Sequence, residues 1–180
     1  MSALAVESLR IMKDAVHALV KRFQQEEDAY RIKNGGRHPQ RQLRPASAED
    51  IQRAEQAGFP RELLDFYREC EPADYIEFKQ RIWSINKALE ENRDYVPGCS
   101  LSPHGFIVFA SNICGDAYCI DTNVATADGQ HPVVLFPHDA IDEDASLSAI
   151  QPFRLEVATS LADFLVKFTN ETLANEPTYG

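Results

Sequence analysis

The second half of this 180-residue sequence has almost no positive charge. Only Arg154 and Lys167 are basic after position 93, against twelve acidic residues, whereas residues 1–93 hold sixteen of each sign. The net charge of −10 therefore comes entirely from residues 94–180. Such a half-chain repels nucleic acid and anionic membranes, and it attracts basic partners over about a Debye length, roughly 8–10 Å in physiological salt. The alternative is a solvated acidic surface that only keeps the protein in solution.

Long apolar runs and low-complexity segments are also missing. Charged residues such as Glu7, Lys13 and Asp14 interrupt every apolar stretch near the N-terminus. This excludes a signal-peptide core there and predicts no membrane-spanning segment, so we expect a cytoplasmic protein. A chain of this length is predicted to form one domain that buries about 70% of its unfolded surface.

The short signatures of catalysis and metal binding are absent as well. GxSxG, HExxH, GxxxxGK[ST] and GxGxxG do not occur. Cys114 and Cys119 lack both the second close pair of ligands of a structural zinc site and the CxxC spacing of a redox pair. All four cysteines are expected to be reduced thiols. We therefore predict no metal, no cofactor and no catalysis; a cluster of Asp116, Asp121 and a histidine is the minority alternative.

Hydrophobic periodicity predicts helices in the first half of the chain. Apolar residues at three- and four-residue spacing favour an amphipathic helix over residues 3–30. Residues 31–47 hold five basic and no acidic residues and are predicted to form an exposed loop or linker. Ser47 is a predicted cap of a second helix that ends near Gly58, and Pro60 favours the start of a third.

The remainder of the chain predicts a sheet followed by a closing helix. The continuous apolar run 106–110 is typical of a central strand, and a turn at 112–115 would place its antiparallel neighbour, 117–121, with Cys119 opposite Val108. Further strands are predicted at 75–78, 81–85 and 132–136. Between them we expect a helical turn at 86–96 and a loop at 97–105, and an acidic irregular connection should follow at 138–148. A closing helix is predicted around 161–168, capped by Thr159 or Ser160 with Asp163.

This order of elements resembles the SUKH superfamily. The segment IQRAEQAGFPRELLDFYREC, residues 51–70, is similar to its N-terminal motif, at Ile51, Glu55, Gly58, Pro60, Leu64 and Tyr67. FIVFASNICGDAYCIDT resembles the central hairpin of the family, at Gly115, Asp116, Tyr118 and Asp121. PVVLFPHD resembles its next strand, and VATSLADFLVKF its closing helix, at Ser160 and Phe164. The resemblance covers about residues 48–170. The sequence departs from it at Glu71-Pro72, where the family often has Asn-Gly.

The resemblance implies an α+β fold with a mainly antiparallel sheet flanked by helices, over residues 47–173. An extra N-terminal amphipathic helix and the basic linker, residues 1–46, precede that domain, and residues 174–180 are expected to be a frayed tail. Bacterial members of the superfamily are mostly immunity proteins of polymorphic toxin systems, and some fungal members regulate cell-wall synthesis by binding other proteins. Neither role requires catalysis.

The leading hypothesis from the sequence is an immunity protein whose partner is a cognate toxin with a basic surface, a nuclease being one class of target. A non-catalytic adaptor or regulatory scaffold is the alternative. The expected partner-binding residues are Asp139, Asp142, Glu143 and Asp144 on the acidic connection, Asp116 and Asp121 at the hairpin, and Tyr118. Tyr118 and Trp83 are candidate aromatic anchors, although aromatic residues beside strands more often belong to the core.

Overall fold

Six antiparallel strands, paired in the order in which they follow one another along the chain, form the centre of an α+β fold. The computed structural model describes residues 3–36, 42–127 and 129–173. The strands are β1 (Leu43–Arg44), β2 (Glu71–Pro72), β3 (Tyr75–Glu77), β4 (Gln80–Trp83), β5 (Phe106–Asn112), β6 (Ala117–Asp121), β7 (Val133–Phe136) and β8 (Leu155–Ala158). The helices are α1 (Ala3–Asn34), α2 (Ala48–Gln56), α3 (Arg61–Glu69), α4 (Ile85–Asp94), α5 (Gly98–Leu101), α6 (Leu147–Ile150) and α7 (Leu161–Thr169). Strands β3 to β8 form the sheet, and β1 and β2 form a separate ribbon. The predicted fold class is confirmed.

Both faces of the sheet are covered, and this explains the apolar run in β5. The larger core lies on one face, where α1, α2, α3, α4 and α7 contribute buried side chains. The smaller core lies on the other face, where Leu101, Ile141 and Ile150 pack against the sheet. A strand buried on both faces has no solvent side that would favour polar residues. β5 is buried along its whole length, as predicted for a central strand.

The predicted hairpin register is confirmed. Cys119 of β6 lies opposite Val108 of β5. The register shifts between Val108 and Ala110, so Phe109 occupies a β-bulge. Gly115, at φ 98°, supplies the left-handed conformation in the turn between the two strands.

The predicted helix caps are also confirmed. Ser47 and Ser160 precede α2 and α7, and their hydroxyl oxygens accept hydrogen bonds from the backbone N–H groups of Asp50 and Asp163, both at 3.1 Å. Gly58 follows α2 with φ 84°. Pro60 lies one residue before α3, at the cap position rather than inside the first turn.

Three predictions in the middle of the chain are wrong. Residues 86–94 belong to a complete helix, α4, not a single turn, and the strand predicted over residues 81–85 ends at Trp83. The physical reason is Ser84, whose hydroxyl accepts a hydrogen bond from the Lys87 N–H at 3.3 Å and caps the helix. The segment predicted as a loop contains α5 and a 3-10 turn at Ser102–His104.

Three short strands were not predicted. β1 lies within the predicted basic linker, where Leu43 pairs with Pro72 of β2. β8 pairs with β7 at an edge of the sheet. α1 also extends the predicted first helix to Asn34. Residues 37–41 of the predicted linker and the predicted frayed tail, residues 174–180, lie outside the described residues.

The N-terminal helix α1 packs onto α7 and adds to the larger core. Its buried stripe consists of Met12, Ala15, Val16, Leu19 and Phe23. The Arg22 guanidinium donates hydrogen bonds to the Thr169 carbonyl and the Glu171 carboxylate, which fixes α1 against the end of α7. Despite its length, α1 is too polar to cross a membrane, and no other helix of the described residues is suited to do so.

Candidate partner-binding surface

The connection between β7 and β8, residues 137–154, lies across the smaller core and contributes apolar side chains to it. Ile141 and Ile150 are buried there, and Ala145 and Phe153 are partly buried against the same cluster. The acidic residues of the connection are exposed, because burying an unpaired carboxylate costs free energy while the apolar neighbours pack onto the core. The exposed carboxylates form what we call the acidic patch, which consists of Asp139, Asp142, Glu143 and Asp144.

Asp116 holds the start of this connection. Its Oδ1 accepts hydrogen bonds from the His138 backbone N–H at 3.1 Å and from the His138 ring Nδ1 at 2.9 Å. Its Oδ2 accepts from the Asn112 side-chain amide at 2.8 Å. Burial by itself would raise the pKa of the Asp116 carboxyl, but these hydrogen bonds outweigh it and lower the pKa below the usual value. The hairpin turn and the start of the connection are therefore joined through one ionised side chain.

Asp121 holds the end of the connection. Its Oδ2 accepts a hydrogen bond from the Arg154 Nε at 2.8 Å, and its side chain is only 2% exposed. Its Oδ1 accepts from the backbone N–H and the side-chain amide of Asn123, at 3.1 and 3.0 Å. A buried carboxylate that has these partners is stable only while they remain in place. Arg154, just before β8, is therefore fixed to the last residue of β6.

His104 holds the middle of the connection. Its Nε2 donates a hydrogen bond to the Ala145 carbonyl at 2.9 Å, because a carbonyl oxygen can only accept. Asp144 precedes that residue with φ 61°, a left-handed conformation that aspartate tolerates better than most residues. The connection is thus attached at His138, at Ala145 and at Arg154, and the acidic patch lies between its first and second attachments.

The acidic patch has no cation to neutralise it among the residues that the structure describes. Within the described part of the chain, no ion pair involves any of its four carboxylates. The two basic residues of the second half of the sequence are engaged elsewhere. Arg154 bonds to Asp121, and Lys167 bonds to Asp163 and to the Val157 carbonyl. The negative potential of the patch is therefore directed toward solvent.

The sequence pattern of the SMI1 / KNR4 family (SUKH-1) matches residues 45–167, which is more than half of the chain. The chain belongs to that family. The resemblance to the SUKH superfamily seen in the sequence is confirmed. No curated protein matches the chain. The match leaves α1 outside the SUKH-1 region, although α1 completes the core.

The residues of the SUKH-1 motif at the start of the match are structural. Ile51 and Leu64 are buried in the larger core, and Gly58 provides the left-handed turn between α2 and α3. Tyr67 is fully buried, and its hydroxyl donates a hydrogen bond to the Trp83 carbonyl at 2.9 Å. Burial raises the pKa of this hydroxyl, so it stays protonated and keeps that bond. The motif therefore joins the helical layer to the sheet.

The structure corrects the expected roles of three predicted site residues. Tyr118 is fully buried, with its ring 5.3 Å from that of Phe164, and so it belongs to the core and cannot be a surface anchor. Asp121 and Asp116 are buried as well, at 2% and 8% exposure, because they bind the β7–β8 connection. They position the acidic patch and do not form its surface. Trp83 is half-buried against the smaller core.

The sequence reasoning did not identify the residues that attach the connection, namely His104, His138 and Arg154. One signal was available for Arg154, since an isolated arginine in an acidic half-chain has many carboxylates that could pair with it. Its pairing with Asp121 depends on tertiary structure. Among residues 3–36, 42–127 and 129–173, no group of three or more His, Cys, Asp or Glu side chains could hold a metal ion.

Proposed function

We propose that this SUKH-1 protein is an immunity protein that acts in the cytoplasm, where it binds a cognate toxin domain and blocks its active site without catalysing a reaction. The partner surface is basic, as in a nuclease that holds phosphate groups. Membership of the family supports a protein-binding role. The observation that carries the proposal is the acidic patch, whose four exposed carboxylates have no ion-pair partner among the described residues and lie on a connection that is attached at three points.

The physical mechanism is electrostatic steering followed by occlusion. A patch of unneutralised carboxylates attracts a basic surface and raises the association rate, up to about 10⁸–10⁹ M⁻¹s⁻¹ at low salt. Because the attachments at Asp116, Asp121 and His104 fix the segment before binding, little conformational entropy is lost when the complex forms. The carboxylates then occupy positions where the basic partner would bind phosphates.

The partner to test is the protein encoded next to the gene of this chain. Association with that protein, made catalytically inactive, is measured by stopped flow at low and high ionic strength. We expect the association rate to fall at least about tenfold as salt screens the patch. Co-expression with the active toxin tests neutralisation directly, since cells that contain both proteins should survive.

A pair of charge variants distinguishes the effect of the acidic patch on association from the effect of the net charge. The patch variant is D139N/D142N/E143Q/D144N, and the control is D14N/D28N/E55Q/E69Q, which neutralises four exposed carboxylates on α1, α2 and α3. Both variants lose four negative charges. We expect only the patch variant to associate slowly and to lose most of its salt dependence; equal rates for the two variants would contradict a specific role for the patch.

The second candidate function is a non-catalytic adaptor. It is favoured by a groove of about 610 Å³ between α1, β1 and the end of α3, with Val20, Phe23 and Leu43 among its lining residues. Part of this groove is built by α1, outside the family region. An adaptor would bind the neighbouring gene product, or another protein, without rescuing cells from toxicity, so the co-expression experiment distinguishes the two functions.

A further inference from the structure

A large aliphatic side chain lies exposed at the tip of the β5–β6 hairpin. Ile113 has 80% of its surface accessible to solvent, in a turn where a polar side chain would be equally compatible with the fold. Cys114 and Gly115, which complete the tip, are also exposed. Exposed single apolar residues are common on protein surfaces. The surroundings of Ile113 are what distinguish it.

The turn that carries Ile113 is held rigidly by side-chain hydrogen bonds. The Asn112 Oδ1 accepts hydrogen bonds from the backbone N–H groups of Cys114 and Asp116, both at 2.9 Å. The Gly115 N–H also donates to the Asn112 carbonyl at 3.3 Å. These bonds join Asn112, which precedes Ile113, to the three residues that follow Ile113. An apolar residue presented in this way loses little entropy when a partner covers it.

The hairpin tip lies beside the acidic patch. Asp116, at the base of the turn, binds both the backbone and the ring of His138, and Asp139 follows in the chain. The His138 ring packs over Gly115, since a Cβ at that glycine would lie 3.6 Å from the ring. The hairpin turn that carries Ile113 is therefore bonded to His138, the residue that precedes the first carboxylate of the patch.

We propose that Ile113 is the apolar anchor of the partner interface, inserted into a hydrophobic pocket whose rim carries lysine or arginine residues. This inference rests on the proposed function and names the chemistry of the partner surface. A binding hot spot is a side chain that becomes fully desolvated in a pocket of the partner, while the surrounding contacts exclude water. The carboxylates of the patch face the basic rim, and the isoleucine fills the pocket.

Charge complementarity identifies the occupant as a basic protein and not a second copy of this chain. In a two-fold symmetric dimer through this face, each acidic patch would lie close to the same patch of the partner copy. Eight carboxylates without an ion-pair partner among the described residues would then lie close together, which is repulsive. A basic rim reverses the sign of that interaction.

The two parts of the surface have different kinetic effects. Exposed charges at an interface act mainly on the association rate and its salt dependence, whereas a buried anchor acts on the dissociation rate. We therefore expect Ile113→Ser to raise the dissociation rate by about thirtyfold, the size of a typical hot-spot effect, with little change in the association rate. The salt dependence should remain that of the wild-type protein.

The chain offers a matched control for this variant. Ile32, on the last turns of α1, is 83% exposed and lies far from the hairpin in sequence and on another element. Ile32→Ser removes the same side chain from an equally exposed position. Both variants are measured by surface plasmon resonance against the inactivated product of the neighbouring gene, and urea unfolding verifies that both retain wild-type stability.

Each outcome decides between the proposals. A dissociation rate raised by Ile113→Ser and unchanged by Ile32→Ser supports the anchor. If wild-type protein binds and both variants dissociate at its rate, the anchor is refuted while the proposed function stands. If wild-type protein does not bind the gene product at all, the proposed function fails, and the anchor fails with it.

Discussion

Asp116 is the residue at which the hairpin, the β7–β8 connection and the acidic patch meet. One carboxylate oxygen accepts both hydrogen bonds from His138, and the other accepts from Asn112. A neutral amide at this position could accept only through one oxygen and would place an N–H₂ group against a donor. Asp116 therefore has a structural role and does not itself contact a partner.

We expect Asp116→Asn to destabilise the protein at neutral pH by about 1–3 kcal/mol, the cost of weakening hydrogen bonds to a buried charged group. The lowered pKa of Asp116 sets the pH dependence. A carboxyl whose folded-state pKa is below its unfolded value contributes stability above about pH 4, and that contribution disappears as the pH falls through the folded-state pKa. The free energies of unfolding of the variant and the wild type, measured with urea, should therefore become more similar below about pH 4.

The control for this measurement is Asp139→Asn, which changes the charge by the same amount at an exposed position of the patch. This substitution should change the free energy of unfolding by no more than about 0.5 kcal/mol. If Asp116→Asn behaved in the same way, the hydrogen bonds of Asp116 would not contribute to stability, and its role as an attachment of the connection would be refuted.

At the scale of elements, α4 completes the open edge of β5. β4 pairs with β5 only from Asn112 to Ala110, which leaves the first half of β5 without a neighbouring strand on that side. Asn92 of α4 substitutes for the missing strand. Its side-chain Oδ1 accepts from the Val108 N–H at 2.9 Å, and its Nδ2 donates to the Val108 carbonyl at 2.6 Å.

Asn92→Ala should therefore be strongly destabilising. It leaves the N–H and the carbonyl of a fully buried residue without partners, at a cost of about 2–4 kcal/mol for the two groups. Asn34→Ala is the matched control, because the Asn34 amide makes only a local hydrogen bond to the Tyr30 carbonyl at the exposed end of α1. Equilibrium urea unfolding of both variants makes the comparison, and equal midpoints would show that Asn92 does not support the β5 edge.

At the scale of the whole molecule, the core extends beyond the SUKH-1 region. The family match begins at residue 45, yet Leu19 of α1 is fully buried in the larger core. α1 covers α7, whose Phe164 and Phe168 are fully buried as well. The N-terminal helix is therefore part of the folding unit and not an appendage to it.

Leu19→Ala tests this conclusion. Truncation of a fully buried leucine creates a cavity and costs about 2–5 kcal/mol. Leu9→Ala, on the same helix, removes the same atoms from a side chain that is 40% exposed and should cost much less. Thermal unfolding of the two variants provides the measurement. If Leu19→Ala unfolded at the temperature of Leu9→Ala, α1 would be only loosely associated with the rest of the protein.

The parts of this fold that the sequence predicted depend on local physical rules. Caps at Ser47 and Ser160 bind amides three residues away, and the pairing of Val108 with Cys119 follows from one turn and a period of two. β8 was missed because it is an edge strand of four residues, only partly buried, and so it has no strong alternation.

The candidate site was predicted only in part, for a related reason. The carboxylates of the patch are visible in the sequence as a run of acidic residues, and all four are exposed in the structure. The burial of Asp121 and Tyr118 depends on elements that are distant in the chain. Asp121 pairs with Arg154, 33 positions later, and Tyr118 packs on Phe164 of α7. No local pattern specifies such partners.

The packing of α1 on α7 has a consequence for synthesis of the chain. The contact between Arg22 and Thr169 joins residues 147 positions apart, whereas each strand from β3 to β8 pairs with its immediate successor. The ribosome therefore releases the apolar stripe of α1 well before α7, the helix that covers it. Until α7 has been synthesised, that stripe lacks this native partner, and nascent polypeptides with exposed apolar surface are prone to aggregate. The sheet can assemble strand by strand, but the hydrophobic layer above it can close only after α7 has been synthesised.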